Sequence, residues 1–488
     1  MPKRPNVLLI ITDQQRYDTL HCGGEEAIET PHIDWLSERG TRFTHAFCAT
    51  PICSPARASL LSGLYPHQHG MVANHQPRPG CDQMHLSPDV KLIADYLKPE
   101  GYACGYTGKW HLGTGSDRRG FGEYVASHFD FDTDTPEQNE AITHARAIGV
   151  ELTGRRQGTE PNPATFNNKT RVGPSVMPLA DHPATLMCDR AMSFIQRHQH
   201  SDDPFMLVYS THEPHSPFVS PRPFDAMYKP DDMPLPPTFT DVSFHPHTKI
   251  RQDNQLRKIN EMGLSELEMR EIVAAYYGQV SFCDHLVGRL VASLIDTGQL
   301  EDTLVIFTSD HGEMMGRHNM LLKGAAVFDD LARIPLVIVP PGGLESENVD
   351  SALVSHIDLM PTILDWCGAD IPAGLDGRSL RPQIEGSPDS SPLDGRRTGV
   401  VTEFHSCNWT NPIGPLRMWR TEEWKYVESY HGDHELYNLA DDPHECRNLI
   451  DDPAAAGALA SLKAGLRDWC ERTGDTWPDV VIPPVVPS

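Results

Sequence analysis

Long apolar runs are missing from this chain of 488 residues. The run from Val7 to Ile11, preceded by Lys3 and Arg4, is far shorter than the roughly 18 residues a membrane helix requires. It also falls short of the roughly 7–15 apolar residues of a secretion signal, and no small-residue cleavage site comes after it. No membrane partner is therefore expected, and the expected compartment is the cytoplasm. A regular cysteine framework is missing too. Eleven cysteines, an odd number at irregular spacing, fit reduced thiols. Positive charge is scarce, with 41 Lys and Arg against 67 Asp and Glu and a formal net charge of -26. Such a surface repels nucleic acid and anionic membranes, and it gives no long-range attraction for an anionic substrate. Any bound anion must be held by a local cluster of cations. Internal repeats and low-complexity segments are absent, and nothing in the sequence sets an oligomeric state.

What is present describes a globular α/β protein. Hydrophobic residues at 39% and charged residues at 22% are ordinary for a folded soluble chain. The length calls for one large domain and a smaller one. Short apolar runs at Asn6–Thr12, Thr41–Phe47, Tyr102–Tyr106, Phe205–Ser210, Thr303–Thr308 and Leu336–Val339 read as buried strands. Helices are expected from Thr30 to Arg39, Pro55 to Ser62, Asp89 to Lys98, Pro183 to His198, Ser265 to Ile295 and His356 to Cys367. Strands alternating with helices imply a large, mostly parallel sheet covered on both faces. From about Arg396 the pattern changes to strand-like runs at Val400–Phe404, Arg417–Arg420 and Lys425–Glu428, then a helix near Ala454–Cys470. The expected division is a catalytic domain over 1–395, with a loop-rich insertion at 112–181, and a small α+β domain over 396–488.

Candidate chemistry sits at strand ends, where ligands bind in open α/β sheets. Asp13 follows the first strand, and Asp310 and His311 follow Thr303–Thr308. Carboxylates at two such ends suit a hard cation such as Ca²⁺ or Mg²⁺, and an imidazole also admits Mn²⁺. Taken singly, each Asp is equally a turn or cap residue. Cys53 opens an expected helix, whose N-terminus favours an anion, and Arg57 lies one turn further on the same face. A nucleophile beside a fixed cation suits attack on a charged ester, although a free thiol is more often a buried structural residue. His67, His69, His245 and His247 read as loop residues. Trp409, Trp419 and Trp424 read as core aromatics or sugar platforms.

The stretch CSPARASLLSGLYPHQHG resembles the signature of the type I sulfatases, a family within the alkaline phosphatase-like superfamily. In family order, ITDQQRYD resembles its first metal segment, GYTGKWHLG its second signature and HEPHSPF its sulfate-binding histidine segment. TSDHGEMMGRHNMLLKG resembles the second metal segment, and ELYNLADDPHECRNL the C-terminal tail. The resemblance spans nearly the whole chain outside 112–181. It implies a large sheet sandwiched by helices, followed by a small C-terminal domain with an antiparallel sheet.

It also implies roles. Cys53, oxidised to formylglycine by a formylglycine-generating enzyme and then hydrated, is the implied nucleophile and a metal ligand. Asp13, Asp310 and His311 are implied metal ligands, with Gln14 as a fourth. The implied ion is one divalent metal: Ca²⁺ is favoured, with Mn²⁺ or Mg²⁺ as alternatives. Arg57 steadies the geminal diol, and Lys109, His111, His215 and Lys323 line the sulfate pocket. Asn74 is a further sulfate contact. His111 moves the first proton, and His215 or Lys323 protonates the leaving alcohol. Two residues depart from the usual pattern: Gln14 replaces a second acid, and His311 replaces an Asn. Both departures occur in bacterial branches of the family, including relatives that cleave phosphonate monoesters and phosphodiesters, whereas Lys109 and His111 argue for sulfate. The expected activity is hydrolysis of a small-molecule or saccharide sulfate ester. A phosphonate monoester or phosphodiester hydrolase is the alternative, or an inactive relative that binds sulfated glycans. Substrate determinants are expected in 112–181 and 405–417.

Overall fold

The computed structural model describes residues 4–74, 85–113, 119–126, 167–239, 257–386, 397–405 and 415–477. Much of the 112–181 insertion, most of 405–417, His245, His247 and Trp409 lie outside the described residues.

Among the described residues, a nine-stranded sheet forms the centre. Its strands are β1 (Asn6–Thr12), β2 (Thr41–Phe47), β3 (Ala103–Gly108), β4 (Glu123–Ala126), β5 (Phe205–Ser210), β6 (Thr303–Ser309), β7 (Arg333–Ile334), β8 (Leu336–Val339) and β9 (Asn348–Ser355). The order is β7-β2-β8-β6-β1-β5-β3-β4, with β9 paired to β2. From β6 to β4 every neighbouring pair is parallel, as is β9 with β2. Strand β8 runs antiparallel to both β6 and β2, and β7 antiparallel to β2, so the sheet is mixed around a parallel centre.

β1 is buried throughout because both faces of the sheet are covered. Its side chains alternate between two cores. Leu8 and Ile10 pack with Ile33, Leu36, Phe194, Phe282 and Leu286, which come from α1 (Pro31–Glu38), α3 (Pro183–Arg197) and α4 (Glu266–Asp296). Val7, Leu9 and Ile11 face Ala58, Leu60 and Leu61 of α2 (Cys53–Ser62) and Ile363 and Leu364 of α5 (Leu359–Cys367). Ser265 caps α4 by accepting from Glu268 N–H, while the Glu268 carboxylate accepts from Ser265 N–H in return. The expected helix from Asp89 is shorter than its sequence suggests. A turn closed by Val90 N–H on Ser87 O occupies its start, and the helix spans only Ile93–Leu97 before a 3-10 turn at Lys98–Glu100.

The C-terminal part carries an antiparallel sheet of β10 (Val400–Phe404), β11 (Leu416–Arg420), β12 (Trp424–Ser429) and β13 (Glu435–Asn438), backed by α6 (Ala456–Thr473). Val401, Trp419, Tyr426 and Leu436 pack with Leu462, Leu466 and Trp469 of that helix. Trp419 is therefore a core residue and not a sugar platform.

Candidate active site

In-register pairing brings four strand ends together. Ile11 is level with Ser210, Thr12 with Ser309, and Gly108 with Ser210. Backbone bonds then lock the adjoining turns. Asp310 N–H donates to Thr12 O at 3.1 Å, Lys109 N–H to Ser210 O at 2.8 Å, and Asp13 N–H to Glu213 O at 3.2 Å. Gly108 makes one of these turns possible. Its φ is +103°, and a Cβ there would lie 1.8 Å from Ser210 O, so only glycine lets Lys109 follow β3 at this spot.

α2 points its N-terminus at the same place, and all ten of its residues are buried. Cys53 is its first residue, and Ser54 N–H donates to Asn74 Oδ1 at 2.9 Å, which fixes the helix entry. The Cys53 Sγ lies 3.3 Å from His311 Nε2 and 3.7 Å from Asp13 Oδ1, and Lys323 Nζ approaches it to 2.6 Å. Lys109 Nζ pairs with Asp13 Oδ2. His111 favours the thiolate of Cys53, and Cys53 in turn favours the protonated form of His215, so both histidines act on this group. Arg57 donates through Nε to Asp310 Oδ2 at 2.9 Å and through one terminal nitrogen to Ser210 Oγ at 2.6 Å and Lys109 O at 2.9 Å. All eleven candidate residues named from the sequence thus lie in the described structure and gather into one cluster, buried except for the half-buried His215; Gln14 joins it through its backbone N–H on Asp310.

The electrostatics arise from this crowding. Burial and the neighbouring Cys53 push the Asp13 carboxyl up, but Lys109, Lys323 and His215 outweigh them and hold it well below the usual carboxylate range. Burial also opposes ionisation of Cys53, yet Lys109, Lys323 and His311 bring its thiol well below the ordinary value. Asp310 moves up, first through burial and then through Asp13 beside it. Burial, then Lys323, push His215 down to about 3. Its Nδ1 lies 2.6 Å from Ser216 O, so that nitrogen carries the proton of the neutral ring.

One atom of each of Asp13, Cys53, Asp310 and His311 falls within 4.8 Å of the others. Gln14 adds a buried amide oxygen without a hydrogen-bond partner. Two carboxylates, an imidazole and an unsatisfied amide oxygen form a donor set that fits a divalent cation such as Ca²⁺, Mg²⁺ or Mn²⁺. Sequence reasoning missed Ser210 and Glu313. Glu313 accepts from the Gln14 side-chain amide, although it stands inside the stretch TSDHGEMMGRHNMLLKG.

The sulfatase family model matches residues 5–369. The chain belongs to the sulfatase family. A second model, for the C-terminal part of N-sulphoglucosamine sulphohydrolase, matches residues 316–472 of this sulfatase. It is 31% identical to the uncharacterized sulfatase YidJ of Escherichia coli, over 97% of this chain and 88% of that protein. It is 30% identical to an arylsulfatase of Clostridium perfringens, over 78% of this chain and 79% of the relative. The phosphonate monoester hydrolase of Agrobacterium radiobacter superposes with a TM-score of 0.79 at 27% identity, covering 96% of each chain. The chain is thus a sulfuric ester hydrolase with an alkaline phosphatase-like fold.

Proposed function

We propose that this sulfatase hydrolyses the sulfate monoester of a small molecule or saccharide, with formylglycine formed from Cys53 as nucleophile. A divalent ion, Ca²⁺ in first place and Mn²⁺ or Mg²⁺ as alternatives, would be held by Asp13, Gln14, Asp310, His311 and the modified Cys53. When bound, the ion polarises the sulfuryl group and lowers the pKa of the attacking hydroxyl. Hydrated formylglycine supplies two hydroxyls on one carbon, one to attack sulfur and one whose proton loss releases sulfate by C–O cleavage. The chain's own residues do the rest. Lys109 and Lys323 set a fixed positive field around the terminal sulfate oxygens. Arg57, fixed by Asp310 and Ser210, keeps the helix start in place. His111, which favours the ionised form of residue 53, takes the first proton. His215 is neutral with its proton on Nδ1, so Lys323 is the better donor to the leaving alcohol.

The observation that carries this reading is the convergence of two buried lysines on the Cys53–Asp13 pair. A sulfate monoester presents three terminal oxygens, all of which cations can grip. A phosphodiester or phosphonate monoester replaces one of them with an organic group that such a ring crowds. Gln14, His311 and the likeness to a phosphonate monoester hydrolase keep that activity as the second reading. The test compares kcat/KM for an aryl sulfate and a phosphonate monoester with the same leaving group, in wild type and Lys109→Ala. The sulfate should be preferred, and the variant should lose about 10²-fold or more on it and less on the phosphonate. Preference for the phosphonate, or equal losses on both, would transfer the assignment to the second reading. Intact mass of the Cys53 peptide separates both from a binding-only relative, which would keep the thiol.

A further inference from the structure

The Gln14 amide has two ends in different states. Its Nε2 donates to Glu313 Oε2, while its Oε1 is buried without a hydrogen-bond partner. The backbone of Gln14 is also held, with φ at +67°, its N–H on Asp310 Oδ1 at 3.0 Å and its carbonyl accepting from Tyr276 OH at 2.8 Å. Left-handed backbone in a non-glycine residue is strained and persists only where its surroundings enforce it. The other Glu313 oxygen, Oε1, accepts from Met315 N–H at 3.0 Å and from Leu322 N–H. All three of these bonds to Glu313 come from N–H donors, so its carboxylate acts as an acceptor on both oxygens. A carboxylate that only accepts leaves the Gln14 amide one orientation, with NH₂ towards Glu313 and oxygen away from it.

We infer that Glu313 is a positioning residue for the cation site: it fixes the polarity of the Gln14 amide so that Oε1, and not NH₂, is offered as a ligand. It also ties this orientation to the loop ahead of Lys323, because Met315 and Leu322 bracket the turn from which that lysine emerges. Metal ligands are commonly oriented by a hydrogen-bonded partner of this kind, and loss of such a partner typically costs about 10- to 100-fold in metal affinity or activity. The inference rests on the proposed role of Asp13, Gln14, Asp310 and His311 as ligands.

The informative variant is Glu313→Gln, which has the same shape. Its side-chain oxygen can keep the bonds from Met315 and Leu322, while its new NH₂ faces Gln14. Two NH₂ groups cannot face each other, so the Gln14 amide must turn and offer N–H to the cation. Mn²⁺ alone serves as the probe, added to metal-free full-length protein and followed by its electron paramagnetic resonance signal, with Ca²⁺ binding read by competition. Glu313→Gln should weaken Mn²⁺ binding by about 10- to 100-fold while the metal-free protein keeps its wild-type melting temperature. The double variant Gln14→Glu/Glu313→Gln should recover most of that loss, because a carboxylate at position 14 accepts from the new amide at position 313 and still presents an oxygen. Wild-type Mn²⁺ affinity in Glu313→Gln, or no recovery in the double variant, overturns the inference and leaves the ligand set standing. If neither wild type nor Asp310→Ala binds Mn²⁺, the ligand set itself fails and the inference with it.

Discussion

At the scale of single residues, the site is a problem of charge compensation. Asp13 and Asp310 are buried with the Cys53 thiol, and Lys109, Lys323 and Arg57 share the same small volume. Such a cluster is stable only as a unit, because removing one partner strands the charge of another. Cys53→Ser removes little volume at a helix start, where serine is tolerated. It should fold with a near-native melting temperature and lose multiple turnover, with a sulfated protein visible by intact mass. Wild-type-like multiple turnover would sink the formylglycine proposal. Asp13→Ala and Asp310→Ala each delete an anionic donor from the proposed cation site. Each should abolish activity and leave the purified protein without a stoichiometric ion, which metal analysis by mass spectrometry would check. An ion retained in both would place the site elsewhere.

At the scale of elements, the site is built by the turns at the strand ends. Gly108 ends β3 at φ +103°, and the loop from Met315 to Leu322 has left-handed backbone at Met315, His318, Asn319 and Leu322 just before Lys323. The two lysines proposed to grip sulfate are thus delivered by backbone that most residues avoid. Gly108→Ala adds a Cβ that collides with Ser210 O in a conformation alanine disfavours. It should cost about 2 kcal/mol or more and lower kcat/KM as Lys109 shifts, seen as a drop in melting temperature alongside the kinetics. A variant as stable as wild type would show that the turn relaxes freely. Much of this level was legible in the sequence. The apolar runs of β1, β5 and β6 and the periodicity of α4 are local signals, and Cys53 and Arg57 are one helical turn apart. Strand β9 carries no such signal, because among the described residues it pairs with β2 alone and its outer half, from Asn348 to Ser351, is mostly polar and at least partly exposed, with Val349 facing solvent. The Arg57–Ser210 and Gln14–Glu313 bonds were not legible either, because their partners stand 153 and 299 positions apart, and only the sheet register makes them neighbours. Trp419 was ambiguous in sequence because an aromatic residue suits a sugar platform as well as a core.

At the scale of the whole molecule, the central sheet and the small C-terminal sheet are joined by buried ionic contacts, which a chain of net charge -26 has to arrange carefully. Lys425 of β12 binds Asp329 and Glu445, each at 2.6 Å. A second junction begins one short turn after α2, where His67 Nδ1 lies 2.6 Å from Glu403 Oε1 of β10 and Nε2 lies 3.3 Å from Thr473 O. Arg417 pairs with Asp475 beside it at 2.6 Å. Burial opposes protonation of His67, but the bond and charge of Glu403 outweigh it, so its pKa is raised above the ordinary 6.5. The sign is set by linkage. A histidine bound more tightly as a cation in the folded state contributes stability fully at pH below its unfolded value. That contribution is lost as the pH rises through the folded one. His67→Gln keeps a neutral donor for Glu403 and removes the titration. The melting-temperature advantage of wild type over His67→Gln should therefore shrink as the pH rises from about 6 to about 9, the range in which a raised histidine titrates. The neighbouring His69, which burial holds down to about 3, and His405, which burial and Arg417 also lower, are both shifted downward, away from this range. A difference that stays constant, or widens with pH, would show that His67 meets Glu403 as a neutral ring and that this junction owes nothing to its charge.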